Sequence, residues 1–76
     1  MTTFISADKQ WKVEPVTRDG AGCLRVLSRT PGPVTTQHDR RRQGTARMAG
    51  GWFLRMTTRD PSDIEQFTPL AELAEA

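Results

Sequence analysis

Large apolar and charged side chains alternate over Trp11, Lys12, Val13 and Glu14, the period of two expected of a strand with one buried face. Pro15 has no N–H to give to a ladder, so this strand is expected to lie at a sheet edge or to end there. Arg18, Asp19, Gly20, Ala21 and Gly22 follow, with an Asp-Gly turn signal, and apolar residues return at Cys23, Leu24, Val26 and Leu27. Two such strands around an Asp-Gly pair read as a hairpin. Thr30, Pro31, Gly32 and Pro33 then deny the backbone regular hydrogen bonding and start a loop.

Between residues 34 and 51 the only apolar side chains are Val34, Ala46, Met48 and Ala49, and residues 34–37 read as a short strand at most. The strongest strand pattern comes next, in Trp52, Phe53, Leu54, Arg55, Met56, Thr57 and Thr58. Strict alternation assigns Trp52, Leu54 and Met56 to one face, the core face, and Phe53, Arg55 and Thr57 to the other. Asp60 before Pro61 is an N-cap with proline at the first helical position, and Asp63 and Glu65 favour the same helix start. Thr68 and Pro69 repeat that pattern, so the helix is expected to stop and restart as far as about Glu75. Its apolar residues Ile64, Phe67, Leu70 and Leu73 suffice to cover a small sheet.

These patterns predict an α+β domain. Three strands near residues 11–17, 23–29 and 52–58 form an antiparallel meander, and a short C-terminal helical segment packs on one face. Residues 1–76 make one small domain, with 1–9 flexible, 30–51 a mobile basic loop between the second and third strands, and 60–76 an acidic helical tail. A chain of 76 residues hides only about 60% of the surface its unfolded form exposes, which argues for a thin core and against a deep catalytic cleft.

The single cysteine, Cys23, excludes an internal disulfide and suggests a reducing compartment. No basic segment precedes an apolar run near Met1, and no window approaches a membrane span, so a cytoplasmic protein without membrane contact is expected. Nine arginines against two lysines, with no asparagine or tyrosine, point to a G+C-rich bacterial or phage gene.

Candidate chemistry is sparse. Cys23 and His38, the only thiol and imidazole, are separated by the Pro-Gly-Pro break, and nothing in their spacing pairs them as nucleophile and base. His38 with Asp39 offers one ligand pair where a metal needs three or four, and no glycine-rich loop leads from a strand into a helix. The expectation is therefore a protein that is not an enzyme, with no catalytic residues, no metal and no cofactor.

Charge is the informative feature. Residues 1–59 hold all eleven bases and four acids, a net +7, whereas residues 60–76 hold five acids and no base. Arg40, Arg41, Arg42, Arg47, Arg55 and Arg59 fall within residues 40–59, which contain no acid. Guanidinium forks suit phosphate oxygens, and an aromatic beside them can stack on unpaired bases. Arg40, Arg41, Arg42, Arg47, Phe53 and Arg55 are accordingly the candidate nucleic-acid contacts, to DNA or RNA backbone. Two other readings stand beside this one. The basic loop and acidic tail of a phage or mobile-element regulator would bind a protein partner or a second copy in a homodimer, or the strand arginines would simply pair with the chain's own C-terminal acids.

Overall fold

The computed structural model of the chain describes residues 2–36 and 46–76. One sheet holds all its strands: β1 (Phe4–Ser6), β2 (Trp11–Arg18), β3 (Ala21–Ser28), β4 (Thr35–Thr36), β5 (Ala46–Arg47), β6 (Phe53–Thr58) and β7 (Leu73–Glu75). Its body is a five-stranded antiparallel path, β6-β3-β2-β1-β7. Two-residue pairings add β4, parallel, and β5, antiparallel, to the remaining edge of β6.

The expectation of a three-stranded sheet with a helical segment is thereby overturned. Among the described residues there is no α-helix, only the 3₁₀ turns Ala49–Gly51, Pro61–Gln66 and Leu70–Glu72. Asp60 does cap the second turn, its Oδ1 accepting the Ser62 N–H at 3.0 Å. That bond holds the Asp60 carboxyl below the ordinary aspartate range. Pro69 then cuts the segment off after too few residues for a stable isolated helix. Beyond it the backbone gains more by extending. Leu73, Ala74 and Glu75 pair with Ser6, Ile5 and Phe4, and the Ala76 N–H donates to the Thr3 carbonyl at 2.9 Å. The stretch expected to be flexible thus supplies β1, the strand that joins β7 to the hairpin.

Two turns set the register of β1, β2 and β3. Ser6 Oγ donates to Asp8 Oδ1 at 2.5 Å and accepts the Trp11 N–H at 3.1 Å, while Lys9, at φ 60°, returns its N–H to the Ser6 carbonyl. Between β2 and β3, Asp19 and Gly20 are both left-handed, at φ 51° and 77°, the conformation that matches the twist of a two-residue hairpin. Pro15 lies opposite Leu24 of β3, past the residues of β2 that pair with β1, where its missing donor costs no ladder bond on the β1 side.

The register of β6 shifts once. Met56 faces Val26 and Leu54 faces Leu27, so Arg55 has no partner on β3. An extra residue in one strand makes two successive side chains point to the same side. Strict alternation therefore fails here: Met56 joins Val13, Val26 and Ile64 in one core cluster, and Leu54 packs with Val34 and Met48 in another. Phe4, Trp11, Leu24, Phe67, Leu70 and Leu73 surround the first cluster. The 61–66 turn is tied down by Thr58, whose Oγ1 donates to Asp63 Oδ2 at 2.5 Å and accepts the Asp60 N–H at 3.0 Å. No helix of the described residues is long and apolar enough to cross a membrane.

Ile64, 2% exposed, is the side chain through which the C-terminal turns reach the sheet. Replacing Ile64 with Ala should cost about 2–5 kcal/mol in urea unfolding. An unchanged midpoint would show that the turns do not cover this face.

Candidate anion-contacting edge

Because β3 occupies one side of β6, β4 and β5 both lie along the other. Thr36 pairs with Thr57 and Ala46 with Leu54, so the chain leaves this edge and returns to it within the same strand. The residues between, which include Arg40, Arg41 and Arg42, lie outside the described residues. Arg47 of β5 is exposed, pairs with Phe53, and has its Cζ 5.7 Å from the centre of that ring. Phe53 is half-buried, so one candidate cation and one candidate stacking surface do meet at this edge.

Trp52 plays no part in that surface. It is 6% exposed, with Arg29 Cζ 3.8 Å and Lys12 Nζ 4.8 Å from its ring centre. The 49–51 turn brings these groups together: Gly50 and Gly51 are left-handed at φ 77° and 79°, a conformation nearly free of cost only for glycine. The Gly50 carbonyl accepts a bond from Arg29 Nη1 at 2.5 Å.

The bulge re-aims Arg55. Its Cζ lies 5.4 Å from the ring centres of both Trp11 and Phe67, which are themselves 5.1 Å apart, and Nη1 donates to Ser28 Oγ at 3.3 Å. A Cβ added to Gly32 would stand 2.6 Å from Cζ, so the absence of a side chain there is what leaves room for the guanidinium. Nε is buried with no hydrogen-bond partner among the described residues. Arg55 meets the C-terminal segment through the ring of Phe67, and no ion pair with an acid of residues 60–76 is present among the described residues. Sequence reasoning missed this slot, since Trp11, Gly32 and Phe67 come from three distant segments.

On the opposite face Glu14 lies across from Arg25 and accepts its Nε and Nη2 at 3.1 and 2.8 Å, with Lys12 Nζ 3.4 Å away. Partial burial pushes the Glu14 carboxyl up, but the Arg25 hydrogen bonds and the charges of Lys12 and Arg25 outweigh it and hold the group below the ordinary range. These ion pairs, Lys12–Glu14 and Arg25–Glu14, are the two among the described residues.

Exposed acids gather elsewhere. Glu72 ends the turn that leads into β7 and Glu75 lies on β7, at the far end of the sheet from β6. Glu72 and Glu75 thus lie across the sheet from Arg47, whereas Asp60, Asp63 and Glu65 follow directly on β6.

No family model matches the chain, and neither a curated protein nor a solved structure is significantly similar to it. What the edge can do rests on its own chemistry.

Replacing Gly32 with Ala should expel the Arg55 guanidinium from its slot, shifting the Trp11 indole N–H resonance and costing roughly 1 kcal/mol, the order of one cation–π contact. In an Arg55→Ala background the same substitution should leave that resonance in place; equal shifts in both backgrounds would refute the slot.

The Glu14 carboxyl, depressed in the fold, also predicts an acid dependence. Its contribution to stability is complete above the ordinary glutamate value of 4.5 and is lost as pH falls through the lower folded value. The stability gap between the parent and Glu14→Gln should therefore narrow as pH falls below about 4.5. A gap independent of pH would contradict the pairing.

Proposed function

We propose that this chain is a small non-enzymatic binding domain that contacts an anionic polymer, nucleic-acid backbone, along the β6 edge. One observation carries the reading: both flanks of the segment holding Arg40, Arg41 and Arg42 pair with β6, on the edge where exposed Arg47 meets Phe53. Arg40 is four positions from Thr36, Arg42 four from Ala46 and Arg41 five from either, and a chain spans at most about 3.6 Å per residue. The three arginines are thereby kept within about 18 Å of that edge by connectivity alone.

Arginine forks on a backbone supply affinity without reading base sequence, and Phe53 supplies a ring on which an unpaired base can stack. Acids would weaken such a site, and residues 40–59 contain none. Arg55 supports the contact from a distance, since its charge is held on the sheet by Trp11 and Phe67 and is not cancelled by a described carboxylate.

Replacing Arg40, Arg41 and Arg42 together with Ala should leave the melting temperature unchanged and weaken binding to duplex DNA. If the three neutralise three phosphates, the slope of log affinity against log salt becomes shallower by about 2.7. Unaltered affinity and slope would remove the basic segment from the interface, and no binding by the parent at low salt would end the proposal.

A further inference from the structure

The acidic C-terminal segment has no role in that reading, yet it frames a feature of its own. On the face opposite the Glu14 network, an open hollow of about 300 Å³ is lined by Phe4, Val13, Leu24, Ile64, Leu70 and Leu73, with Pro61 at its margin. Val13 and Ile64 form its buried floor, whereas Phe4, Leu24, Leu70 and Leu73 keep part of their surface exposed. For scale, a protein cavity of about 150 Å³ holds a benzene molecule, so this one has room for one or two large apolar side chains.

The C-terminal segment that gives the hollow Pro61, Ile64, Leu70 and Leu73 is acidic. Asp60 precedes Pro61, Asp63 and Glu65 flank Ile64, and Glu72 precedes Leu73. Asp60 is kept ionised by the Ser62 N–H, Glu65 and Glu72 are exposed, and no base occurs between residues 60 and 76. None of these acids forms an ion pair among the described residues. An apolar floor with an unneutralised anionic rim fits a cationic segment that carries an apolar anchor.

We propose that this hollow docks a basic peptide segment of another protein, inserting a leucine-sized side chain flanked by lysine or arginine. A second copy of this chain does not fit the same requirement, because the apolar side chains beside its described cations are already engaged: Phe53 lies under Arg47, Trp11, between Lys9 and Lys12, is packed on Phe67, and Val26 and Met56 are buried in the core. A nucleic acid is repelled by the rim. The domain then carries two surfaces of opposite demand, one for an anionic polymer and one for a cationic peptide.

Three end-blocked hexapeptides test this by methyl and aromatic NMR on the intact chain: Lys-Arg-Leu-Leu-Arg-Lys, Lys-Arg-Ser-Ser-Arg-Lys and Glu-Glu-Leu-Leu-Glu-Glu. Only the first should shift the signals of Phe4, Leu24, Leu70 and Leu73 saturably. The exposed pair Glu65→Lys and Glu72→Lys should weaken it on the order of tenfold, as two reversed rim charges imply, without moving the core signals of the free protein. Equal binding of the serine peptide would remove the hollow from the contact, and equal binding of the acidic peptide would remove the rim. Shifts confined to other residues, or none at millimolar peptide, would overturn the proposal. So would the same four signals moving with protein concentration alone as the hydrodynamic mass doubles, because the occupant would then be a second copy.

Discussion

Side chains alternate along a strand, so an unbroken Phe53–Thr58 strand would send Leu54 and Met56 to one face and leave the other without a large aliphatic contact from β6. The register shift opposite Val26 and Leu27 prevents this by leaving Arg55 unpaired. Met56 can then meet Val13, Val26 and Ile64 while Leu54 meets Val34 on the reverse side. One inserted residue allows a thin chain to bury apolar surface on both faces of a single sheet. The same residue aims Arg55 onto Trp11 and Phe67, so the bulge links the packing of the strand to the placement of its charge.

That placement explains how so arginine-rich a chain folds with few ion pairs. A guanidinium is weakly hydrated and planar, so it can lie against rings at a desolvation cost far below that of an ammonium. Arg29 on Trp52 and Arg55 beside Trp11 and Phe67 follow this pattern, and only Glu14 is shared by cations as a carboxylate partner among the described residues. Charges stacked on rings keep their field. The acids of residues 60–76 keep theirs too, being used for turn bonds such as Asp60 to Ser62 and Asp63 to Thr58.

The hairpin turn and the Asp60 cap are legible in the sequence because local geometry decides them, although the cap opens a 3₁₀ turn and not the expected helix. Asp19 and Gly20 announce their hairpin because few pairs tolerate two left-handed residues in succession. Asp60 and Pro61 announce a capped turn for similar reasons. Tertiary pairing decides the rest. Leu73, Ala74 and Glu75 have the propensities of a helix, and only the vacant edge of β1 makes them a strand. Phe4, Ile5 and Ser6 are too few to show a period, yet they join β7 to the hairpin. Nothing within residues 53–58 marks the bulge, which depends on what Val26 and Leu27 present from β3. At the site, the closeness of Arg47 and Phe53 follows from β5 pairing, whereas the Arg55 slot needs Gly32, Trp11 and Phe67 to converge from separate segments.

Strand order is what carries the last two acids, Glu72 and Glu75, away from the basic edge. Had residues 72–75 folded back along β6, these carboxylates would have faced Arg47 and cancelled the field of that edge. Instead β7 pairs with β1, and β1, β2 and β3 stand between it and β6. The separation also guards both edges of the sheet, because a strand edge bearing like charges resists pairing with a copy of itself. Head-to-tail pairing of a basic edge with an acidic one would still be attractive on charge alone. The β6 edge is covered in part by β4 and β5, each only two residues long, which interrupts the continuous ladder that such a filament would require.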